Sequence, residues 1–383
     1  MKFAKSAPAV LIAAVVVVVA ALSFVSNLIS HQMANSFEQA QFELVSQIVK
    51  SRLHGAESQA ISSAELVAAM PAVKKAFAAR DRAELLAVTR DAFAAQHEKY
   101  GISQAQFHLA PAVSFLRVHN PEKFGEDLAK YRQIVVEVNQ ANAIRKGIEI
   151  TTSGIGVFGT LPMTDAAGKS TGSFEMGLEV GPLLDELKKD HGFEMAFFVD
   201  EQSLRETATS LKGDIFSEQN RVGKYVKFYA THAELLRPLV VDADINISDE
   251  SHYVRDSAGV AYGVLLQPVY NYAKKPIGVI AIAKNFSATR SADKQAILWQ
   301  TLLGIVAIVL LTGVVLVVIR GMLLQPLQLV GDRFADLADG KAGAEDAPPM
   351  PSPLCDEIAG LAGSYERLRA QKAGATPAAG EVL

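Results

Sequence analysis

The chain has 383 residues, half of them hydrophobic, with 37 basic and 41 acidic side chains and a formal net charge of −4. This length suffices for more than one domain of ordinary size. The basic residues are scattered and do not outnumber the acidic ones, unlike those of a nucleic-acid-binding protein, so no nucleic-acid partner is expected. The single cysteine, Cys355, excludes an internal disulfide framework.

Two long runs carry no charged side chain, residues 6–30 and residues 295–319. About 20 apolar residues in a helix span the hydrocarbon core of a bilayer, and neither run has the polar face of a soluble helix. Both runs therefore predict transmembrane helices. Lys2 and Lys5 would also suit a cleaved signal peptide, but the apolar stretch is too long for one and no clear cleavage site follows. We expect an uncleaved anchor.

Basic residues near the ends of the two runs predict the topology. Lys2 and Lys5 precede the first run, and Arg320 and Arg333 follow the second. The positive-inside rule then places both termini in the cytoplasm and residues 31–294 outside. We expect a two-pass protein of a bacterial inner (cytoplasmic) membrane, with its outer region periplasmic or extracellular.

The chain stays helical after the first run. Apolar residues recur there at three- to four-residue intervals or their multiples: Met33, Phe37, Leu44 and Ile48. This pattern predicts a long stalk helix whose apolar stripe packs on a partner copy or on its own domain, with dimerisation favoured. Further helices are predicted from Pro71 to about Tyr100, where Gly101 ends them.

Patterns typical of strands begin after these helices. Strands are predicted at residues 106–109, 114–119, 148–163 and 170–180, with a helix at about 124–143. Residues 164–169 have the composition of a hairpin turn.

The second half of the outer region repeats this plan. A predicted strand at residues 193–200 is followed by a variable stretch and then by a hairpin of strands 262–270 and 276–283. The spacing from proline to glycine is the same in the two predicted hairpins, Pro162 to Gly172 and Pro268 to Gly278. Two hairpins can share such spacing by chance, so the pattern indicates a repeat without proving one.

The run from Phe107 to Leu128, FHLAPAVSFLRVHNPEKFGEDL, resembles the double-Cache sensory domains of bacterial chemoreceptors and sensor kinases. The layout is also similar: a transmembrane helix, a stalk helix, PAS-like modules and a second transmembrane helix. The resemblance implies an α+β fold with antiparallel sheets, a membrane-distal module at residues 100–182 and a membrane-proximal module at 183–290. In Cache folds a small-molecule ligand lies between the sheet and the elements that cover it.

Two apolar seams follow the second membrane run, with spacings of four and three residues that predict helices in need of partner helices. Their members are Leu323, Leu327, Val330, Phe334 and Leu337, then Leu354, Ile358, Leu361, Tyr365 and Leu368. Two such helices joined by an extended connector resemble a HAMP domain, a parallel helix pair at residues 320–371. The matching residues are Pro326 and the triplet Asp356, Glu357 and Ile358, which the resemblance implies in signal transmission.

This cytoplasmic segment also has other interpretations. The prolines of residues 348–353 depart from the connector of the family, and an amphipathic tail without a signalling role is the alternative. Asp356 and Glu357 also suit the positive end of a helix dipole. Residues 372–383 are rich in Ala and Gly and predict a disordered tail. No output domain follows, so we expect either a separate cytoplasmic signalling partner or a truncated receptor.

Four residues of the distal module are candidates for ligand binding: Arg117, His119, Tyr131 and Arg132. Arg117 and His119 lie two apart on a predicted strand and therefore share a face. Arg132 follows on the predicted helix, with Tyr131 beside it. A guanidinium holds a carboxylate through two parallel hydrogen bonds, and an aromatic wall excludes water. The group favours an anionic small-molecule ligand.

These residues also have ordinary structural explanations. Both arginines could form surface ion pairs with Glu126, Asp127 or Glu137. His108 and His119 are too few for a metal site, so no metal and no cofactor are expected. The chain has no serine-hydrolase, zinc-protease or Walker motif, and the glycines of residues 153–159 fall in a predicted strand, where close packing explains them better. We therefore expect no catalytic residue and no enzyme.

The sequence thus predicts a homodimeric membrane sensor for signal transduction, with chemotaxis as one setting. A membrane-tethered binding or assembly protein, or an extracytoplasmic hydrolase, are the alternatives. The predicted segments are 1–30 (cytoplasmic stub and first transmembrane helix), 31–99 (stalk and flanking helices), 100–182 and 183–290 (PAS-like modules), 295–319 (second transmembrane helix), 320–371 (HAMP-like pair) and 372–383 (tail).

Overall fold

A computed structural model describes residues 3–165, 167–211, 213–339 and 356–374. The chain divides into two compact units. The sensory unit is Asn35–Ser291, and the flanking unit combines Met1–Ala34 with Ala292–Leu383. Cys355, the proline-rich connector and the tail beyond residue 374 lie outside the described residues.

The predicted stalk is part of one long helix, α1, which runs over Phe3–Ala68. The shorter helices of the sensory unit are α2 (Pro71–Ala78), α3 (Arg82–Tyr100), α4 (Gln133–Ala141), α5 (Val180–His191), α6 (Glu201–Thr207) and α7 (Ala233–Leu236). As predicted, Pro71 lies in the first turn of α2, and Gly101 ends α3 in the left-handed conformation with φ of 69°. Glycine adopts this conformation without the steric penalty of a side chain.

The first sheet has five antiparallel strands in the order β2-β1-β5-β4-β3. The strands are β1 (Ile102–Leu109), β2 (Val113–Arg117), β3 (Arg145–Thr151), β4 (Gly154–Thr164) and β5 (Ser170–Glu179). The prediction of a single strand at 148–163 is wrong, because the chain turns between β3 and β4. The Thr151 hydroxyl accepts a hydrogen bond from the Ser153 N–H and donates one to the Gly154 carbonyl, and these local bonds stabilise the turn.

The helix predicted at 124–143 is also shorter than expected. Only α4 is helical, because the chain before it pairs with the edge of the sheet. The Gly125 N–H donates to the Ser114 carbonyl at 2.7 Å, and the Ser114 N–H donates to the Glu126 carbonyl at 2.9 Å. Backbone groups bonded in this way cannot also form a helix.

The second sheet has six antiparallel strands in the order β7-β8-β6-β11-β10-β9. The strands are β6 (Glu194–Asp200), β7 (Arg221–Val222), β8 (Tyr225–Ala230), β9 (Ser251–Ser257), β10 (Val260–Tyr270) and β11 (Pro276–Asn285). Strands β7, β8 and β9 were not predicted from the sequence, and they lie in the stretch described there as variable. Both predicted hairpins are present, and equivalent positions are paired in them: Met163 pairs with Gly172, and Val269 pairs with Gly278.

The main hydrophobic core joins α1 to one face of both sheets. Phe42, Val45 and Val49 of α1 are buried there. A Cβ atom on Gly159 would lie 2.3 Å from the Ile61 backbone nitrogen, so a side chain is excluded where β4 meets α1. Smaller apolar clusters cover the opposite faces, one with α4 and one with α7. The predicted stripe residues Phe37 and Leu44 stay exposed.

The helices of the C-terminal region are α8 (Ser287–Val318), α9 (Gln325–Ala338) and α10 (Asp356–Gly374). A π-helical segment, Ile319–Leu324, lies between α8 and α9. Helices within Pro8–Ala68 and Ser287–Ala338 are long and apolar enough to cross a membrane. In the flanking unit, α9 packs on α10, with the rings of Phe334 and Tyr365 in edge-to-face contact at 5.4 Å.

Candidate ligand-binding site

A polar cavity of about 240 Å³ lies beside the first sheet and is called here the distal cavity. Arg117, His119, Tyr131 and Arg132 all line it. The structure therefore brings the four residues singled out in the sequence to one place. Their surroundings differ from those predicted, and the differences decide which of them can contact a ligand.

Arg117 ends strand β2 and uses only part of its guanidinium within the protein. Its Nη1 donates to the Glu126 carboxylate at 2.8 Å and to the Lys123 carbonyl at 2.7 Å. The pairing with Glu126 is one of the structural alternatives raised from the sequence. The Nε and Nη2 groups of Arg117 make no hydrogen bond within the part of the chain that the structure describes. Three N–H donors, one on Nε and two on Nη2, therefore remain for a molecule in the cavity.

Arg132 forms a buried ion network with two glutamates. Its Nε donates to the Glu149 carboxylate at 2.6 Å, and its Nη1 and Nη2 donate to the two oxygens of Glu175 at 2.9 and 2.6 Å. The guanidinium also lies over the Phe158 ring, 4.6 Å from its centroid. The predicted partner Glu137 instead faces Arg145 at 3.5 Å. Because its charge and donors are engaged by the protein, Arg132 supports the wall of the cavity.

The same network extends across the sheet. Thr160 of β4 donates to Glu175 at 3.2 Å, and His108 of β1 lies 3.6 Å from the other Glu175 oxygen. The Nε2 atom of His108 makes no hydrogen bond among the described residues. The hydrogen bonds to Glu175 hold the members of this network in one arrangement. A buried polar atom without a hydrogen bond, as at His108 Nε2, costs free energy.

Burial sets the ionisation of these groups. It raises the pKa of Glu149 to about 7, although the charge of Arg132 opposes the shift. For Glu175, burial also acts to raise the pKa, but the two hydrogen bonds and the charge of Arg132 outweigh it, so the pKa lies below its ordinary value. Burial lowers the pKa of His108 to about 4. Two carboxylates share one arginine, and Glu149 is the one that accepts the proton more readily.

His119 and Tyr131 occupy positions that differ from the predicted ones. Strand β2 ends at Arg117, so His119 lies beyond it, with its Nδ1 3.1 Å from the Ala105 carbonyl oxygen. Surrounding protein atoms lower the pKa of His119, and the bond to Ala105 opposes this. Tyr131 and Arg132 precede α4 instead of lying within it. Burial raises the pKa of the Tyr131 hydroxyl, which keeps it neutral.

Several residues that line the distal cavity were not identified in the sequence analysis. They are polar or charged: Ser103, Gln104, Gln106, Asn120, Lys123, Thr151, Thr152, Ser153 and Glu179. Gln104, Gln106 and His108 alternate along β1, and this polar face was visible in the sequence. Neither Lys123 nor Glu179 forms an ion pair with another described residue. The cavity thus offers cations, one carboxylate and many neutral donors and acceptors to a small polar molecule.

The residues linked to signal transmission lie in the flanking unit. Pro326 is the second residue of α9 and follows the π-helical segment without a break, so its missing N–H removes one hydrogen bond from a continuous helix. Ile358 of α10 is buried, while Asp356 and Glu357 are the first described residues of that helix. Among residues 3–165, 167–211, 213–339 and 356–374, no group of three or more His, Cys, Asp or Glu side chains could hold a metal ion.

Residues 36–289 match the family model described as the double sensory domain of two-component sensor kinases, dCache_3. The chain belongs to this family. The double sensory domain covers both sheets and most of the sensory unit. No curated protein sequence shows a significant match to the chain.

Solved structures of other sensory domains are similar to the double sensory domain in fold. The ligand-binding domain of the Campylobacter jejuni chemoreceptor Tlp3, in complex with 4-methylisoleucine, is 14% identical, with a TM-score of 0.40 over 66% of this chain and 92% of that one. The periplasmic domain of Vibrio cholerae LuxQ is 12% identical, with a TM-score of 0.37 over 65% and 99%. The sensor domain of the V. cholerae histidine kinase DctB is 10% identical, with a TM-score of 0.36 over 64% and 98%.

Proposed function

We propose that this protein is a two-pass receptor of the bacterial inner membrane that binds a small polar molecule in the distal cavity and transmits a conformational signal to a cytoplasmic partner. The sensory unit is then periplasmic or extracellular, and both termini are cytoplasmic. The protein carries no catalytic activity in this proposal and works as a homodimer.

The observation that carries the proposal is that Arg117, which lines the distal cavity, donates hydrogen bonds to the protein only through Nη1. Its free Nε and Nη2 can donate two parallel hydrogen bonds to one carboxylate. Lys123 adds positive charge, and Tyr131 supplies an aromatic wall beside the same space. Glu179 lines the cavity as well, so a ligand that also carries an amino group can be bound at both ends. We infer that the ligand is an organic acid or a zwitterion.

Transmission requires that the ligand bind two states of the receptor unequally. The π-helical segment Ile319–Leu324 joins α8 to α9, and its hydrogen bonds span five residues where those of an α-helix span four. A change of this segment to regular α-helix would rotate α9 relative to α8. The α9–α10 pair, read as a HAMP-like domain with Pro326 and Ile358 among its functional residues, would receive that rotation. The exposed seam residues Leu327, Leu361 and Leu368 of this pair, with Leu323 of the π-helical segment, would pack against a second copy.

The ligand can be found with the full-length protein in lipid nanodiscs. A thermal-shift screen against organic acids, amino acids and polyamines identifies binders, and calorimetry measures their dissociation constants. For a binder held by Arg117, Arg117→Ala should cost about 1.5–3 kcal/mol, which weakens binding roughly tenfold to a hundredfold. Arg117→Lys should also fail, because lysine lacks the planar fork.

Arg145→Ala is the matched control, because Arg145 belongs to the same sheet, forms an ion pair with Glu137 and does not line the cavity. It should leave affinity unchanged. If Arg117→Ala lowers the melting temperature strongly but each folded molecule binds as before, then Arg117 is a structural ion-pair residue and the proposed site is wrong.

A further inference from the structure

A second cavity, of about 280 Å³, lies beside the other sheet and is called here the proximal cavity. Strand β6 contributes Phe198, the β7–β8 hairpin contributes Lys227, and the chain after α7 contributes Val240 and Asp242. It lies on the face of the second sheet opposite α1, in contact with the apolar cluster around α7. The distal cavity occupies the corresponding face of the first sheet, on the side of α4.

Two cations of the proximal cavity have no carboxylate partner. Neither Lys227 nor Arg237 forms an ion pair with any residue that the structure describes. Arg221, which lines the same cavity, differs from them because Glu201 and Glu218 engage its guanidinium. Partial burial lowers the pKa of Lys227, and the nearby charge of Arg237 lowers it further, while Glu234 acts in the opposite direction.

The partial burial of Lys227 carries a desolvation cost, and the repulsion between Lys227 and Arg237 is a smaller second cost that the charge of Glu234 offsets. An anion bound between them would relieve both costs. Asp242 lines the cavity near the turn at Gly223 and reduces the net positive charge without forming an ion pair with either cation.

The rest of the lining combines the polar side chains Glu218, Gln219 and Asn220 with an apolar part. Phe198 and Val240 are 1% and 2% exposed, and Val222 lies beside them. Both cavities have amide groups, but the distal cavity adds the hydroxyls of four Ser and Thr residues, whereas this one adds the hydrocarbon side chains of Phe198, Val222, Val240 and Val241. Because the two linings differ in chemistry, one ligand would not fit both cavities well.

We propose that the proximal cavity is a second ligand site, and that it binds a small organic carboxylate with an apolar body, such as an aromatic or short aliphatic acid. The carboxylate lies between Lys227 and Arg237, and the hydrocarbon part contacts Phe198 and Val240. This site is independent of the distal cavity, so the receptor responds to two chemical classes of ligand.

Calorimetry on the full-length protein in nanodiscs tests the proposal with sodium benzoate and sodium hexanoate as probes and empty nanodiscs as the blank. At least one acid should bind saturably. Lys227→Gln and Arg237→Gln should each weaken it by at least about tenfold, the usual effect of losing a hydrogen bond to a charged group. The uncharged amide of the same acid should bind at least about tenfold more weakly, for the same reason.

Lys224→Gln is the matched control, because it removes the same charge from an exposed residue of the same hairpin that does not line the cavity. This variant and Arg117→Ala should bind the acid as the wild type does. The proposal is overturned if neither acid binds, if Lys224→Gln weakens binding as much as Lys227→Gln, or if only Arg117→Ala abolishes it. Should Lys227→Gln fail to fold, the exposed Arg237 still decides the question.

Discussion

Glu149 should control part of the pH dependence of stability in the sensory unit. The side chain is buried, and it accepts hydrogen bonds from Arg132 Nε at 2.6 Å and from the Ile134 N–H at 3.3 Å. Burial raises its pKa from the ordinary 4.5 to about 7. Between those two pH values the folded protein holds a proton that the unfolded chain has released. The resulting stability is fully present below pH 4.5 and is lost as the pH rises through 7.

Each pH unit of that interval changes the free energy of unfolding by about 1.4 kcal/mol, so the whole effect is about 3 kcal/mol. Glu149→Gln has nearly the same shape but does not titrate. We expect the unfolding free energy of the wild type minus that of Glu149→Gln to fall by about 3 kcal/mol between pH 4.5 and 8.

Chemical denaturation of the full-length protein in detergent, followed by circular dichroism at closely spaced pH values, measures this difference. The subtraction removes most of the contribution of His108, whose pKa of about 4 makes stability rise with pH up to about 6.5. Glu137→Gln, at a partly exposed glutamate of α4 that pairs with Arg145, is the matched control for the change of Glu to Gln. If the Glu149→Gln difference is flat or rises with pH, Glu149 stays ionised beside Arg132 and the reasoning fails.

Three further predictions concern stability, topology and assembly. Arg132→Ala leaves two buried carboxylates without their cation and should lower the free energy of unfolding by about 3–5 kcal/mol in denaturant titrations. A reporter active only in the periplasm should be active when fused near Asp200 and silent when fused to the C-terminus, and the reverse pattern would contradict the proposed topology. Single cysteines at the exposed Leu361 and Leu368 should crosslink two copies, whereas a cysteine at the buried Ile358 should not, and uniform crosslinking would count against a dimeric seam.

Local signals predicted the elements that depend on local chemistry. Gly101 ends α3, and β4 is followed by its hairpin partner β5 as predicted, because glycine and turn-forming residues act over a few positions. The strands β7 to β9 were missed because they are short or partly exposed, so their apolar pattern is weak. The break between β3 and β4 depends on the hydroxyl of Thr151, which alternation of apolar residues does not reveal.

The candidate site was predictable only in part, because some of its contacts join residues that are far apart in sequence. The run around Arg117 was recognisable by its likeness to a family, and the four chosen residues do line one cavity. The partners of Arg132 were missed because Glu149 and Glu175 are 17 and 43 residues away in sequence and reach it only through the pairing of the sheet. Whether an arginine is free or engaged depends on such long-range contacts, and no local pattern encodes them.

The π-helical segment between α8 and α9 has a consequence for receptors assembled by recombination. A π-helical turn is an α-helix with one residue inserted. If the segment became regular α-helix with all six residues kept, α9 would turn by about 100° about its axis, whereas deleting any one residue of Ile319–Leu324 would give a regular helix that keeps α9 near its present rotation. A chimera joined within these six residues can absorb a one-residue mismatch in length by losing or keeping that insertion. The segment is therefore a suitable point at which to join this sensory region to the cytoplasmic domain of another protein. The number of residues in the linker then sets the rotation of that domain about the helix axis.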